Sequence, residues 1–483
     1  MPTTGLSIPF RSRLLDNGLR VIVHVDRHCP VAAVNVWYHV GSKDDPPGRS
    51  GLAHLFEHLM FKGSAHHDAS YFEPLQQAGG VLNGSTNADR TNYWEVVPSN
   101  ALELALWMES DRMGFLLPAL TGARFAAERD VVLNERRQRY ENRPYGLAPI
   151  AMAAALYPAG HPYCRATIGS PEDLCGATLD DARAFFSRFY HPANASLAIA
   201  GDVEADEAFD LADAHFGEIP RGDAPPVVPL APPAASPSRL LLEDRVELPR
   251  LYLGWLSPAA YAAGDAELDL LAAALAGGKS SLLHRSLVYE RRLATDVLAA
   301  QVSRERGGAF QVAATAAPGV PLDTLERAID DELHRVKAAG LTEDELARAL
   351  AGAESAFISR LQAVGGFGGK SDQLNHYSVM LGDPGFFERD LDRYRHACRS
   401  AIRRVAAAVL DPAHRVTLSV VPAGARPLAA RDSQPAAVSR CASIAPGCPS
   451  PAARGPSPSL APSSGAWTTA CGCGRSSGAA CRS

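Results

Sequence analysis

Several features that assign proteins to common classes are missing from this sequence. It has no apolar run as long as a membrane-spanning helix, and its first residues lack the basic stretch and apolar core of a secretory signal. Lys and Arg total 47 against 53 Asp and Glu, a formal net charge of −6, and the basic residues form no stripe. We therefore expect no membrane span and no nucleic-acid partner. The cytoplasm is the expected location, with the periplasm as the alternative if translation starts further upstream.

Cysteine is also scarce before residue 424. Cys29, Cys164, Cys175 and Cys398 lack the spacing of a zinc finger, and we expect reduced thiols in a reducing compartment. The glycine-rich stretch Gly365–Gly369 lacks the spacing of a phosphate-binding loop, so no nucleotide site is predicted.

The chain is long and apolar enough for two hydrophobic cores. It has 483 residues, of which 46% are hydrophobic and 21% charged. Proline-rich residues 218–240 predict a semi-rigid linker. We predict a first domain at residues 1–217 and a second at 241–424, because both segments run strand, strand, helix and then further strands and helices. The second domain's helix, predicted at Asp265–Ala276, carries no histidine, so we expect a duplicated domain without a metal site.

Residues 425–483 differ in composition from the rest of the chain. They are rich in Ala, Ser, Pro, Gly and Arg and contain few acidic or large apolar residues. Such a segment cannot bury a core, so we predict a disordered tail. A frameshifted reading frame would give the same composition.

The motif His-x-x-Glu-His at residues 54–58 is the strongest chemical signal. His54 and His58 lie one helical turn apart on one face, with Glu57 beside them. We predict a helix with Ser50 as its N-cap, largely buried because apolar residues recur at helical spacing. Two buried imidazoles and a carboxylate need partners, and a metal ion would satisfy all three; the order is that of the inverted zincins. The alternative is a solvated helix face, which the apolar neighbours disfavour.

A third ligand must come from another part of the chain, because catalytic zinc usually has three protein ligands. Glu128 and Glu135 lie seven residues apart on one face of a predicted helix that ends near Pro144. Glu135 can ligate while Glu128 supports a ligand from behind. Spacing alone fits a solvated surface pair equally well. Two imidazoles and a carboxylate favour one zinc ion per chain over manganese or cobalt.

This motif, the intervening residues 59–134 and Glu135 closely resemble the insulinase/pitrilysin family of zinc metallopeptidases. The resemblance is to the shorter bacterial members that are similar to the β subunit of mitochondrial processing peptidase, and it covers roughly residues 10–424. It includes Gly79–Thr86 and Phe189–Asn194. It implies an α+β fold in which two homologous sheet-and-helix sandwich domains form a clam-shell around the substrate.

The resemblance also implies roles for individual residues. His54, His58 and Glu135 would bind zinc. Glu57 would act as general base, and Glu128 would support the site from behind the ligands.

The family likeness further implies a substrate groove. The segment with Asn83, Gly84 and Thr86 would be an edge strand to which an extended peptide or unfolded protein segment adds. Asn83 is the main candidate for a peptide contact, and a turn asparagine is the alternative.

The second domain departs from the family pattern. Active single-chain members carry an Arg and a Tyr after a Gly-Gly-x-Ser-Ser turn, where this chain has Val288 and Thr295. Tyr289 and Arg291 are near, but shifted along the chain. We therefore expect a heterodimer in which a family member without zinc ligands supplies the Arg and Tyr. A shifted alignment or a dispensable pair is the alternative.

These observations predict a zinc metalloendopeptidase. A non-catalytic assembly subunit and a peptide-binding module without turnover are the competing functions. A scaffold has no need of Glu57 beside an intact ligand set, which favours the enzyme.

Overall fold

Two six-stranded sheets organise the chain in the computed structural model, which describes residues 7–225 and 237–441. The first half contains strands β1 (Arg11–Leu14), β2 (Arg20–Val25), β3 (Val31–Tyr38), β4 (Val81–Thr86), β5 (Thr91–Pro98) and β6 (Ala195–Gly201). Its helices are α1 (Leu52–Leu59), α2 (Phe72–Gln77), α3 (Leu102–Ala119), α4 (Gly122–Arg136), α5 (Ala148–Leu156), α6 (Pro171–Gly176), α7 (Leu179–Phe189) and α8 (Ala205–Phe216). A π-helical turn at Arg137–Glu141 continues α4.

The second half repeats this plan. Its strands are β7 (Ser238–Asp244), β8 (Arg250–Ser257), β9 (Ala294–Val302), β10 (Gly308–Ala316), β11 (Val416–Pro422) and β12 (Gln434–Pro435). Its helices are α9 (Asp265–Ala276), α10 (Leu322–Ala339), α11 (Glu343–Arg360), α12 (Lys370–Leu381), α13 (Phe387–Arg395) and α14 (Arg399–Val409). A second π-helical turn lies at His284–Glu290.

The two sheets have equivalent strand orders, β1-β2-β6-β3-β5-β4 and β12-β7-β11-β8-β10-β9. In each, one long pair is parallel, β2 with β6 and β7 with β11, and the next three pairs are antiparallel. The predicted α+β fold with two homologous sheet-and-helix halves is confirmed. None of the helices in the described ranges combines the length and apolar character needed to cross a bilayer.

Each sheet is covered on one face by a helix from the other half. Helix α12 of the second half packs on β3 and β6, and helix α5 of the first half packs on β8 and β11. Strands β3 and β6 are almost wholly buried as a result. The halves are therefore joined through this exchange of helices as well as through the linker.

Polar bonds fix α12 in its place on the first sheet. Asn375 donates to the Asn35 carbonyl at 2.7 Å and accepts from Ser196 Oγ at 2.7 Å. The Trp37 indole N–H donates to Asp372 at 2.8 Å. These groups are buried, so the bonds define one register for the helix.

Helix α5 is fixed on the second sheet by close apolar contact. Met152 and Leu156 of α5 share a core with Leu418 and Val420 of β11. A Cβ at Gly254 on β8 would lie 2.6 Å from Met152 Cε, so glycine is what permits the helix to approach.

The predicted tail begins too early at residue 425. Residues Arg426–Leu428 form a 3-10 turn, and β12 pairs in parallel with β7. Ala436 and Val438 pack against the core beneath α5. Small apolar side chains and backbone pairing suffice to order this segment, which a composition argument overlooks. Residues 442–483 lie outside the described residues, and the tail prediction is not tested there.

The predicted linker at residues 218–240 is also too long. Strand β7 begins at Ser238, so the last three residues of that range already belong to the second sheet. Residues 226–236 lie outside the described residues.

A buried ion cluster lies between α3 and the first sheet. The Arg112 guanidinium, 1% exposed, donates from Nε to Glu109 at 2.8 Å and from Nη2 to Glu95 at 3.3 Å. It is held between the rings of Tyr71 and Tyr93, 4.0 and 4.1 Å from their centroids. Burial, reinforced by the nearby Glu109 carboxylate, raises the pKa of Glu95, so a protonated Glu95 leaves the cluster neutral.

Replacing Arg112 by Met should lower the free energy of unfolding by about 3–5 kcal/mol, because Glu109 would become a buried carboxylate without a counter-charge. Urea denaturation would measure the loss. Adding Glu109→Gln should restore part of it. As a control, Arg11→Met removes an arginine whose side chain is 56% exposed and should leave the midpoint unchanged. Equal midpoints for the two single variants would contradict the prediction.

Candidate metal centre

The helix that carries the histidines begins differently from the prediction. Gly51, with φ of 96°, is the N-cap of α1, and the capping oxygens come from Asp45, which accepts the N–H groups of Gly51 at 2.7 Å and Ala53 at 2.9 Å. Ser50, predicted as the cap, instead bonds Asp173. Ser50 has the right residue type, but the left-handed turn at Gly51 directs its side chain elsewhere. The sequence offered no local signal for Asp45.

The apolar face of α1 is fixed by aromatic packing. Phe56 stacks on Phe185 with ring centroids 5.6 Å apart and lies 5.3 Å from Tyr190. Leu55 and Leu59 are also buried. This packing fixes the orientation of α1. The histidines lie on its opposite side, which faces α4.

The structure brings the three predicted ligand residues together. The ligand atoms of His54, His58 and Glu135 all lie within 4.8 Å of one another. Glu135 Oε2 lies 3.2 Å from His58 Nε2 and 3.7 Å from His54 Nε2. Among the described residues, no other group of three or more His, Cys, Asp or Glu side chains could hold a metal ion.

The residues fit a zinc ion. Glu135 Oε2 is buried and, despite the two close imidazoles, makes no well-aligned hydrogen bond. Two imidazole nitrogens and a carboxylate oxygen are a donor set that zinc takes in catalytic sites, with a further position left open. A cation would satisfy the orphaned oxygen and both rings together.

Charged side chains behind the ligands support this arrangement. Glu128, 7% exposed, lies 3.7 Å from His58 Nδ1 through one carboxylate oxygen and 3.1 Å from Lys62 Nζ through the other. Arg139 lies 2.8 Å from Glu135 Oε1. Glu128 therefore lies where the sequence predicts a supporting carboxylate, and His58 is the candidate ligand beside it.

The protonation of the ligands follows from burial and charge. Burial lowers the pKa of His54, so its ring is neutral. For His58 burial acts in the same direction, but Glu128 and Glu135 outweigh it and raise the pKa to about 9. Burial acts to raise the pKa of Glu135, yet the adjacent His58 lowers it to about 2. Without a metal the site thus holds a proton on His58, which a cation would displace.

Glu57 lies on the same helix as both histidines. It is half-buried, and its charge acts to raise the pKa of His54 and of His58. Its carboxylate is therefore beside the candidate metal position without being one of the three convergent ligands.

The predicted substrate-binding residues lie on β4, the outermost strand of the first sheet. A Cβ at Gly84 would lie 3.1 Å from Phe61, just after α1, so Gly84 and Thr86 belong to the face of the strand toward the metal helix. Asn83 pairs with Trp94 on the opposite face, and its Oδ1 accepts the Gly84 N–H at 2.8 Å. Asn83 can therefore reach a peptide on the metal side only through its backbone.

The second half contributes neither an arginine nor a tyrosine at the positions noted above. Val288 lies in the π-helical turn and packs on the core, and Thr295 lies on β9 with its side chain exposed. Arg291 pairs with Asp331 at 3.0 Å, and Tyr289 is 53% exposed.

Comparisons with known proteins agree with this architecture. Residues 20–160 match the family model described as Insulinase (Peptidase family M16), and residues 176–352 match the Peptidase M16 inactive domain. The zinc protease PqqE of Helicobacter pylori is 33% identical over 355 residues, which cover 72% of this chain and 79% of that protein. An uncharacterized zinc protease of Mycobacterium leprae, ML0855, is 32% identical over 343 residues, 68% of this chain and 74% of its own length.

A solved structure gives the same result. The crystal structure of a protease from Helicobacter pylori matches with a TM-score of 0.77 at 28% sequence identity, covering 86% of this chain and 100% of that one. The chain is thus similar, over most of its length, to proteins named as proteases.

Replacing Glu128 by Gln should weaken zinc binding about 10- to 100-fold, because the carboxylate that orients His58 loses its charge. Competition with a chromophoric chelator would measure the affinity. Asp130→Asn, on the same helix and away from the ligands, is the matched control. Equal affinities for the two variants would show that Glu128 has no supporting role.

Proposed function

Because the chain belongs to the insulinase family, peptidase family M16, we propose that it is a zinc-dependent endopeptidase that hydrolyses peptides or unfolded protein segments. The observation that carries this proposal is the convergence of His54, His58 and Glu135 on one point. Glu57 lies on α1, the helix of the two histidines. The protease names of its relatives support the same activity.

Zinc would be held by the two imidazoles and the Glu135 carboxylate. When bound, it would polarise the scissile carbonyl and lower the pKa of the attacking water. Glu128, itself paired with Lys62, lies behind His58 and would orient its ring before any substrate arrives.

Glu57 is suited to moving the proton. A general base must lie within hydrogen-bond reach of the attacking water, and Glu57 is fixed one residue before His58 on a helix anchored by Phe56. Its carboxylate would accept the water's proton and deliver it to the nitrogen of the leaving amine.

The outer edge of β4 would bind the substrate. One side of this strand pairs with β5, and its other side has no strand partner in the described sheet. An extended peptide can add to it through backbone hydrogen bonds. Recognition by backbone predicts weak sequence preference and a requirement for flexible substrates.

We further propose that a second chain completes the site. Tyr289 and Arg291 adjoin the expected positions along the chain, but they contact the ring of His284 and Asp331. Val288 and Thr295 cannot donate to a developing oxyanion as an Arg and a Tyr would. A zinc-less member of the same family would supply these two donors.

Glu57→Gln should abolish peptide hydrolysis while zinc binding is retained, because the amide cannot accept the proton. General bases contribute about 10²–10⁴-fold, and a quenched fluorescent peptide library would measure the loss. Glu73→Gln, an exposed glutamate on α2, should retain activity. Stoichiometric zinc in the unaltered chain without turnover under any condition would favour a binding or assembly subunit instead.

The unaltered chain should hydrolyse the library efficiently only when it is mixed with a zinc-less family member of the same organism. The mixture should lose activity when the Glu57→Gln chain replaces the unaltered one. Full activity of the homogeneous chain would remove the need for a partner and leave the peptidase proposal standing.

A further inference from the structure

Arg136 directly follows the candidate ligand Glu135 on α4. Its side chain is 2% exposed, which is unusual for an arginine. A guanidinium buried to this extent requires several partners. Arg136 takes no part in the proposed hydrolysis.

Three separate segments surround the Arg136 guanidinium. Nη1 donates to the Gly169 carbonyl at 2.9 Å, and Nη2 donates to the Ser439 carbonyl at 2.8 Å. Nε lies 3.2 Å from Glu141 Oε1, in an ion pair across the π-helical turn. The planar fork of arginine allows these contacts in different directions, which a lysine ammonium cannot reproduce.

Gly169 connects this guanidinium to the start of the histidine helix. A Cβ at Gly169 would lie 2.4 Å from the Ser50 carbonyl oxygen and 2.7 Å from Gly51 Cα, so the two backbones are in direct contact. Ser170 N also donates to Ser50 Oγ at 3.0 Å. Gly51 is the N-cap of α1. A bond from Arg136 to Gly169 therefore ties the Glu135 helix to the first turn of the His54 and His58 helix.

Ser439 connects the same guanidinium to the second half. The segment before it is bound to β7, where Ala436 N donates to the Leu241 carbonyl at 2.8 Å. The segment after it returns to the π-helical turn, where Cys441 N donates to Glu141 at 2.8 Å. The last described residues thus run from the second sheet to the end of α4.

We propose that Arg136 is a positioning residue that sets Glu135 against the two histidines by holding α4, the start of α1 and residues 436–441 together. This rests on the proposed zinc site. A metal ligand must be held to within about 0.5 Å. Aromatic packing orients the far side of α1, and the Arg136 bond to Gly169 adds a direct link between α4 and the start of α1.

The test compares Arg136→Met with Arg137→Met in the full chain. Both remove one positive charge from adjacent positions, but the Arg137 guanidinium donates to Asn134, within its own helix and one turn away. Zinc affinity is measured by chelator competition, and the visible absorption of the cobalt-loaded protein reports the geometry of the ligand set. Urea unfolding of the metal-free protein measures stability separately.

Arg136→Met should weaken zinc binding about 10- to 100-fold and shift the cobalt absorption bands. Arg137→Met should change the affinity by no more than about twofold. Arg136→Lys keeps the positive charge but loses the planar guanidinium, so its zinc affinity should lie between those of the two methionine variants. If Arg136→Met does not fold, the affinity and spectrum of Arg136→Lys decide the question in the same way.

A purely structural arginine would give a different result. The metal-free variants would then unfold at lower urea, while zinc affinity and the cobalt spectrum of the folded protein stayed unchanged, and this outcome would overturn the inference. Zinc binding without peptidase activity in the unaltered chain would count only against the proposed function. Absence of zinc binding by the unaltered chain would overturn both.

Discussion

The exchange of helices between the halves is the constraint on which the rest of the structure depends. The central strands of each sheet are largely buried on both faces, and their own half covers only one of them. Helix α12 covers the second face of the first sheet, and α5 covers that of the second. Because these contacts bury both polar and apolar groups of the two sheets, neither half is complete without the other. The metal helix α1 packs on β4 and β5 of the first sheet.

The candidate site combines stiffness with unsatisfied charge. Asp45 caps α1 from the turn that precedes it, aromatic rings hold Phe56, and Glu128 lies behind His58. Glu135 nevertheless retains a buried oxygen without an aligned partner. A cation bound between the two imidazoles would give that oxygen a partner. The duplicated second half has the same sheet but no such group of ligands in its described residues.

Much of the fold could be read from local patterns. The predicted helix Asp265–Ala276 has those bounds in the structure, because hydrophobic periodicity reflects which side chains face a core. The exchange of helices could not be predicted from the sequence, since the hydrophobic pattern of a buried helix is the same whichever sheet it covers. The ordered structure of residues 426–441 was not predicted, because a strand at the edge of a sheet is held more by backbone hydrogen bonds than by large side chains.

The sequence by itself determined the chemistry of this protein: two histidines and a glutamate on one helix, two further glutamates on another, and a second half without ligands. These follow from residue type and helical spacing, which depend only on neighbours along the chain. Tertiary structure alone decided how the two helices meet, that Asp45 rather than Ser50 caps α1, and that Arg136 joins Gly169 to Ser439. The Asp45 cap spans six to eight residues, and it depends on how the turn before α1 folds back. The other contacts join residues far apart in sequence, and only packing brings them within bonding distance.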